Sequence, residues 1–314
     1  MGNMIKILLA ILLGSGTLFA QVEENSIVLK TQNGDIHGSL LMPDHQGKFP
    51  VVLIIAGSGP TDRNGNNPMM KNNSLKMLAE GLAERGIASV RYDKRGIGES
   101  KEAGGDEESL RFENYIDDAK GWIDFLHQND SFTDIVVLGH SEGSLIGMIA
   151  AQKNEVKKYI SLAGIGDRAS KAIREQLKSQ PPFVTDLSSP ILDKLESAKT
   201  VDSVPPILLS LFRPSVQPYL ISWFKYDPTA EIAKLHKPVL IVQGTTDIQV
   251  PVSNADVLAQ SNSQAQKAIM EGMNHILKVS EADRMKNIET YSNPDLPLHP
   301  DLIDILIDFL SKGN

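Results

Sequence analysis

The chain has 314 residues, of which 41% are hydrophobic, and a chain of this length can bury one large core. Its 39 acidic residues outnumber its 31 Lys and Arg residues, and the net charge of -8 argues against nucleic acid or an anionic membrane surface as a partner. The sequence contains no cysteine, which excludes a disulfide framework, a thiolate metal site and a lipid-modified N-terminal cysteine.

Residues 1–20 have the pattern of a secretory signal peptide. Lys6 is followed by a short apolar run, a Gly-Ser-Gly break and the small residue Ala20, and the next residues are polar. An uncleaved membrane anchor is the alternative, but the apolar run is too short to span a bilayer comfortably. We therefore expect cleavage after Ala20, a secreted or periplasmic mature protein, and no stable membrane association after cleavage.

From residue 26 onward the chain alternates strand patterns with helix patterns. The dipeptide Asn33-Gly34 lies between two strand-like runs and predicts an antiparallel hairpin. Further strands are predicted by apolar runs at 50–56, 87–92, 135–138, 157–163, 238–244 and 267–271, and helical spacing is found at 75–82, 116–126 and 302–309. This alternation predicts an α/β protein with a mostly parallel central sheet flanked by helices.

Residues 167–236 interrupt the alternation and contain eight prolines. So many prolines disfavour long helices and central strands, and we predict a cap of short helices, with pieces near 171–178 and 191–199. The core would then consist of residues 21–166 and 237–314. The cap carries an aromatic cluster that includes Trp223, and these rings face either the sheet or a substrate. The alternative is that they only pack the cap onto the core.

Residues 134–147 read DIVVLGHSEGSLIG and contain a G-x-S-x-G nucleophile elbow. In this motif a sharp turn from strand to helix holds one serine in a strained conformation above the sheet edge. A side chain at Gly139 or Gly143 would collide with a neighbouring element at so tight a turn. A chance Gly/Ser-rich turn is the alternative, but the flanking strand and helix favour Ser141 as the nucleophile.

A serine nucleophile needs a base to take its proton and an acid to orient that base. Asp247 and His275 each follow a predicted strand, on loops at the carboxyl end of the sheet where such sites form. The order Ser141, Asp247, His275 is the chain order of triads built on this elbow. His299 is the second candidate for the base, but it directly precedes the last helix and we interpret it as a surface residue.

The tetrahedral intermediate of such a reaction needs two N–H donors. We expect one from the backbone of Glu142 and the other from Ser58, which lies in the loop AGSGPTDRNG after the strand at 50–56. Gly57 in this loop would let the backbone approach the substrate. A phosphate-binding glycine loop is the alternative, but the sequence has neither a G-K-[ST] ending nor a G-x-G-x-x-G pattern.

From about residue 49 onward the chain resembles the α/β-hydrolase superfamily, and within it bacterial serine carboxylesterases with a G-S-G-P-T-D-R-x-G loop. The resemblance is carried by AGSGPTDRNG, RYDKRGIGES, GHSEG, GTTDIQVP and GMNH. It implies hydrolysis of carboxylic esters through an acyl-enzyme, without a cofactor or a metal. Many relatives have His-Gly where this chain has Ala56-Gly57. The turn from Asp93 to Ser100 resembles one that braces the loops around the site, so Asp93 and Arg95 are interpreted as structural.

The sequence therefore predicts a serine hydrolase that cleaves small-molecule esters. The proline-broken cap suits a compact pocket, and we expect acyl chains of roughly two to six carbons, since each further methylene adds only about 0.8 kcal/mol of binding free energy where it can be buried.

Arg63 either shapes the leaving-group side of the site or pairs with Asp62. The alternatives are a serine aminopeptidase of the same fold and a non-catalytic binding protein on a hydrolase scaffold. The oligomeric state is not indicated.

Overall fold

The computed structural model describes residues 23–43 and 47–312, so the predicted signal peptide lies outside the described residues. The strands of its sheet are β1 (Glu23–Thr31), β2 (Gly34–Met42), β3 (Phe49–Ile55), β4 (Ala88–Tyr92), β5 (Phe132–His140), β6 (Val156–Leu162), β7 (Val239–Gly244) and β8 (Ala265–Met270). They form one eight-stranded sheet in the order β1-β2-β4-β3-β5-β6-β7-β8.

The hairpin predicted at Asn33-Gly34 is confirmed, because β1 and β2 pair antiparallel with Thr31 opposite Gly34. Strand β2 is also antiparallel to β4, whereas the remaining neighbours in the sheet are parallel. The predicted α/β class with a mostly parallel sheet is therefore confirmed. The carboxyl ends of β3 to β8 all lie at one edge of the sheet, and the loops that follow these strands meet there.

Helices cover both faces of the sheet. They are α1 (Ser74–Glu84), α2 (Phe112–His127), α3 (Glu142–Ala150), α4 (Ala169–Leu177), α5 (Pro182–Glu196), α6 (Leu209–Phe212), α7 (Gln217–Phe224), α8 (Pro228–Ile232), α9 (Val252–Ser261), α10 (Arg284–Glu289) and α11 (Leu302–Ser311). Short 3₁₀ turns occur at Gly98–Gly104, Glu107–Ser109, Pro206–Leu208, Pro214–Val216 and Thr290–Ser292. Among the described residues, no helix has the length and apolar character needed to cross a membrane.

Alternate residues of β3 show how the two faces are filled. Val51 and Leu53 belong to the apolar cluster that contains α2 and α3, whereas Val52 and Ile54 belong to the cluster that contains α1 and α11. Successive side chains of a strand point to opposite faces, so a strand covered on both faces is apolar throughout. This is why the run at 50–56 could be recognised as a buried central strand.

The helices α4 to α8 lie between β6 and β7, where the sequence predicted a cap; the boundaries at residues 167 and 236 stay a prediction. One detail of the prediction was wrong. Helix α5 begins at Pro182 and runs for 15 residues through Pro190, although we expected a helix only from residue 191. Proline is tolerated in the first turn of a helix, and Pro190 is exposed, so the break in the hydrogen-bond ladder lies on the solvent side.

Candidate active site

Ser141 occupies the sharp turn between β5 and α3. Its backbone has φ 55° and ψ -121°, a combination that costs free energy for any residue with a side chain. The turn is tight enough that a Cβ on Gly139 would lie 2.1 Å from the carbonyl oxygen of Gly143, and one on Gly143 would lie 2.3 Å from that of Ile55. Helix α3 begins directly after Ser141, so its free N–H groups and positive dipole end lie beside the hydroxyl.

The side chains of His275 and Asp247 form a hydrogen-bonded pair. The distance from Nδ1 of His275 to Oδ2 of Asp247 is 2.8 Å. The same oxygen accepts a bond from Gln243, and the other carboxylate oxygen accepts the backbone N–H groups of Gln249 and Val250. Burial by itself would raise the pKa of Asp247, but the charge and hydrogen bond of His275 and the two backbone N–H groups outweigh it and lower the pKa. The ionised carboxylate keeps the ring proton on Nδ1, so Nε2 is available as a base.

His140, the residue before Ser141, connects the elbow to the His275 loop. Its Nε2–H donates to the backbone carbonyl of His275 at 2.8 Å, and the centroids of the two rings are 4.9 Å apart. Burial, reinforced by the positive charge of His275, lowers the pKa of His140 to about 4, so the ring is neutral near pH 7. The sequence indicated no role for His140. Its position next to the serine was the only available signal.

The loop after β3 also reaches Ser141. A Cβ on Gly57 would lie 3.0 Å from the Cβ of Ser141 and 3.4 Å from Nδ1 of His140. Within residues 23–43 and 47–312, the backbone N–H groups of Ser58 and Glu142 donate no hydrogen bond to another protein group. Two uncommitted N–H groups therefore lie on the segments next to Ser141, and their role in an oxyanion hole stays a prediction.

The expectation that His299 lies on the surface was wrong. His299 is 7% exposed, and its Nε2 lies 3.0 Å from the carbonyl oxygen of Glu271. Its backbone N–H donates to the carbonyl of Leu277 at 2.7 Å, so the segment before α11 packs onto the turn that carries His275. The ring of His299 therefore supports the backbone near His275, whereas the carboxylate of Asp247 bonds to His275.

Arg63 and Asp62 do not pair with each other, which corrects one of the two predictions for them. The Arg63 guanidinium lies 3.2 Å from Asp93 and also contacts Glu99, and its backbone N–H donates to Asp93 at 2.8 Å. Asp62 accepts two backbone N–H groups of its own loop. Both side chains therefore brace the loop that carries Ser58, and a contact of Arg63 with substrate stays a prediction.

Trp223, a residue of the predicted cap, packs the cap onto the core. Its ring is stacked on Phe112 of α2, with centroids 5.8 Å apart and an interplanar angle of 13°, and the residue is 6% exposed. Tyr219, on the same helix α7, lies 6.0 Å from it. This contact agrees with the packing alternative for Trp223, and a contact of Trp223 with substrate stays a prediction.

Lys94 was missed by the sequence analysis. It lies in the turn RYDKRG, is 1% exposed, and donates to the carbonyl of Gly57 at 2.7 Å and to the carboxylate of Glu142 at 2.8 Å. The second oxygen of Glu142 accepts the hydroxyl of Tyr219. The sequence predicts only a bracing role for this turn, and Arg95 has that role through its 2.7 Å bond to Asp118. A charged residue between two structural ones gave no signal of its own.

Comparison with known proteins agrees with this architecture. The family model for serine aminopeptidases of the S33 type, Hydrolase_4, matches residues 71–201. Esterase EstD of Thermotoga maritima is 26% identical over 252 residues, which are 79% of this chain and 59% of EstD, so the chain spans less than two thirds of that relative.

Two solved structures cover most of the chain. Est1E of Butyrivibrio proteoclasticus, solved with ferulic acid, superposes with a TM-score of 0.62 at 19% identity, covering 91% of this chain and 100% of Est1E. The α/β hydrolase GrgF of a Penicillium species gives 0.61 at 18% identity, covering 92% and 98%. The narrower resemblance to carboxylesterases with a GSGPTDR loop stays a prediction. The chain has the α/β-hydrolase fold.

Proposed function

We propose that the protein is a serine hydrolase that cleaves carboxylic esters through an acyl-enzyme intermediate. The observation that carries this proposal is the arrangement at one sheet edge. Ser141 lies in a strained elbow, His140 joins that elbow to His275, and the ring of His275 is oriented by Asp247. An imidazole with its proton held on Nδ1 beside such a serine is the arrangement that activates a hydroxyl.

In the proposed reaction, Oγ of Ser141 attacks the ester carbonyl carbon while Nε2 of His275 takes the hydroxyl proton. The carbonyl π-electron pair moves to the oxygen, and the N–H groups of Ser58 and Glu142 stabilise the resulting oxyanion. The intermediate then expels the alcohol, which receives the proton from His275. Water, activated by the same histidine, attacks the acyl-enzyme and releases the carboxylic acid. Asp247 orients the ring and stabilises its charged form.

The esterase assignment is supported by the similarity to EstD, whose name describes an esterase. We further propose a small-molecule ester with an acyl chain of roughly two to six carbons, because the aromatic rings of α7, a helix of the predicted cap, pack against Phe112 of α2 and favour a compact pocket. A secreted or periplasmic location is proposed from the pattern of residues 1–20 alone.

An aminopeptidase is the second candidate, because the matching family model describes serine aminopeptidases. Such an enzyme needs a carboxylate that can receive the substrate ammonium. We consider four of the acidic residues of the predicted cap, Glu175, Asp186, Glu196 and Asp227. Glu175 pairs with Lys178, Glu196 pairs with Arg174, and Asp227 caps α8 and pairs with Arg168. Asp186 is exposed on α5. Three of these four candidate carboxylates therefore already have a partner, which favours the esterase.

A substrate panel distinguishes these activities. The kcat/KM of the wild-type protein is measured for p-nitrophenyl esters of increasing acyl length and for aminoacyl and prolyl anilides, with Ser141→Ala as the background. We expect short-chain esters to give the highest values. Anilide cleavage above every ester would establish the aminopeptidase, and a steady rise to long chains would contradict the proposed chain length.

A further inference from the structure

A buried ion pair joins the two backbone segments that we expect to bind the oxyanion. Lys94 is 1% exposed and Glu142 is 2% exposed, and Nζ lies 2.8 Å from Oε2. The same Nζ donates to the carbonyl oxygen of Gly57 at 2.7 Å. Glu142 carries one of the two expected donors on its own backbone. Gly57 belongs to the peptide unit that carries the other, the N–H of Ser58.

The geometry of that peptide unit gives the Lys94 bond a consequence at the site. A trans peptide is planar, and its C=O and N–H point in opposite directions. When Nζ holds the Gly57 carbonyl towards the core, the Ser58 N–H is directed away from the core, and Ser58 is exposed. Ser141 lies beside this segment, since a Cβ on Gly57 would be 3.0 Å from the Cβ of Ser141. A cation on the carbonyl oxygen also polarises the amide and strengthens its N–H as a donor.

The ion pair between Lys94 and Glu142 is surrounded by buried tyrosine side chains. The ammonium of Lys94 also lies 4.8 Å from the ring centroid of Tyr115, and Tyr219 of α7 donates to the remaining oxygen of Glu142. Burying two charges gains little stability compared with an apolar pair of similar volume. A buried ion pair at this position is therefore better explained by the orientation it imposes than by the stability it adds.

We propose that Lys94 and Glu142 are positioning residues whose side chains hold the Gly57–Ser58 peptide, so that the N–H of Ser58 points at the oxyanion formed on attack by Ser141. This proposal rests on the proposed function. Neither side chain touches the substrate. Their effect is confined to the state in which negative charge has developed on the carbonyl oxygen, so they raise kcat and leave substrate binding unchanged.

The test compares Lys94→Met with the wild type. We expect kcat for a p-nitrophenyl ester to fall by about 10²-fold, the cost of losing one oxyanion donor, with KM unchanged within about 3-fold. The rate at which a fluorophosphonate labels Ser141 should fall by a similar factor, because the phosphonyl oxygen occupies the same donors. This second readout does not depend on turnover of any ester.

Lys94→Met leaves the carboxylate of Glu142 buried without its cation and is expected to destabilise the fold. The triple variant Lys94→Met/Glu142→Leu/Tyr219→Phe removes both charges of the ion pair and the hydroxyl that binds Glu142. Its unfolding midpoint should return towards the wild-type value, while kcat and the labelling rate stay low. Lys158→Met is the matched control, since Lys158 is 7% exposed and its ammonium donates to carbonyls at the end of α11, away from the candidate site. It should lower stability without changing kcat.

The possible failures are distinguishable. If the triple variant folds and keeps wild-type kcat and labelling rate, the positioning role is contradicted and the proposed function is unaffected. If the wild type is labelled at Ser141 but hydrolyses none of the esters, the proposed function fails. The labelling rates of the variants then still decide whether Lys94 positions the oxyanion donor.

Discussion

Replacing His140 by glutamine should remove part of the acid sensitivity of the folded protein. Burial and the charge of His275 lower the pKa of His140 to about 4 from its ordinary 6.5. As the pH falls through 6.5, the ring takes up a proton in the unfolded chain, whereas the folded chain stays neutral here until about pH 4. The stability that His140 contributes is therefore fully present above pH 6.5 and is lost as the pH falls towards 4.

The size of this loss follows from the two titrations. The free energy of unfolding falls by about 2 kcal/mol between pH 7 and pH 5, and by about 3 kcal/mol once both states are protonated. Glutamine cannot be protonated, and its amide can still donate to the carbonyl of His275, which lies 2.8 Å from Nε2 in the wild type. We expect His140→Gln to lose about 2 kcal/mol less than the wild type between these pH values.

Urea unfolding followed by circular dichroism at pH 7 and pH 5 measures this difference. His127→Gln is the matched control, because His127 is exposed in the last turn of α2 and contacts water in both states. It should show the same pH dependence as the wild type. An equal loss of stability in His140→Gln and the wild type would refute the reasoning, since the buried ring would then not be the source of the acid sensitivity.

Other substitutions test separate parts of the account. Ser141→Ala should reduce p-nitrophenyl acetate turnover by at least ~10³-fold, with an unchanged thermal unfolding midpoint. Asp247→Asn should lower kcat by at least ~10²-fold, because the amide cannot accept all the hydrogen bonds of the carboxylate or stabilise a charged His275; steady-state kinetics at saturating ester measures this. Gly143→Ala places a Cβ 2.3 Å from the carbonyl oxygen of Ile55 and should lower the unfolding midpoint by several degrees, which calorimetry would detect. Tyr219→Phe leaves a buried oxygen of Glu142 without a donor and should cost about 1–3 kcal/mol in urea unfolding.

The sequence predicts those residues of the site that lie on loops directly after strands. Asp247 follows the buried strand β7 and His275 follows the edge strand β8, and parallel strands bring the loops at their carboxyl ends together. In the structure, Nδ1 of His275 lies 2.8 Å from Oδ2 of Asp247, as the positions of the two loops predict. The catalytic roles of the two residues stay predictions. The glycines around Ser141 were recognisable because the elbow leaves no space for a side chain.

The parts that sequence did not predict depend on packing between distant segments. Lys94 is buried only because Gly57 and Glu142, far away along the chain, supply its acceptors. His299 was placed at the surface because it precedes a helix, but its loop packs onto the His275 turn. Proline composition alone could not show that α5 continues through Pro190, since its cost depends on which side of the helix faces solvent.

Mapping of a covalent adduct tests the central claim most directly. The protein is treated with a fluorophosphonate, digested and analysed by mass spectrometry, in parallel with His275→Ala and His299→Ala. A single adduct on Ser141 is expected, formed at wild-type rate in His299→Ala and at least ~10²-fold more slowly in His275→Ala, because only His275 acts as the base. An adduct elsewhere, or rapid labelling of Ser141 in His275→Ala, would contradict the assignment of Ser141 and His275 as nucleophile and base.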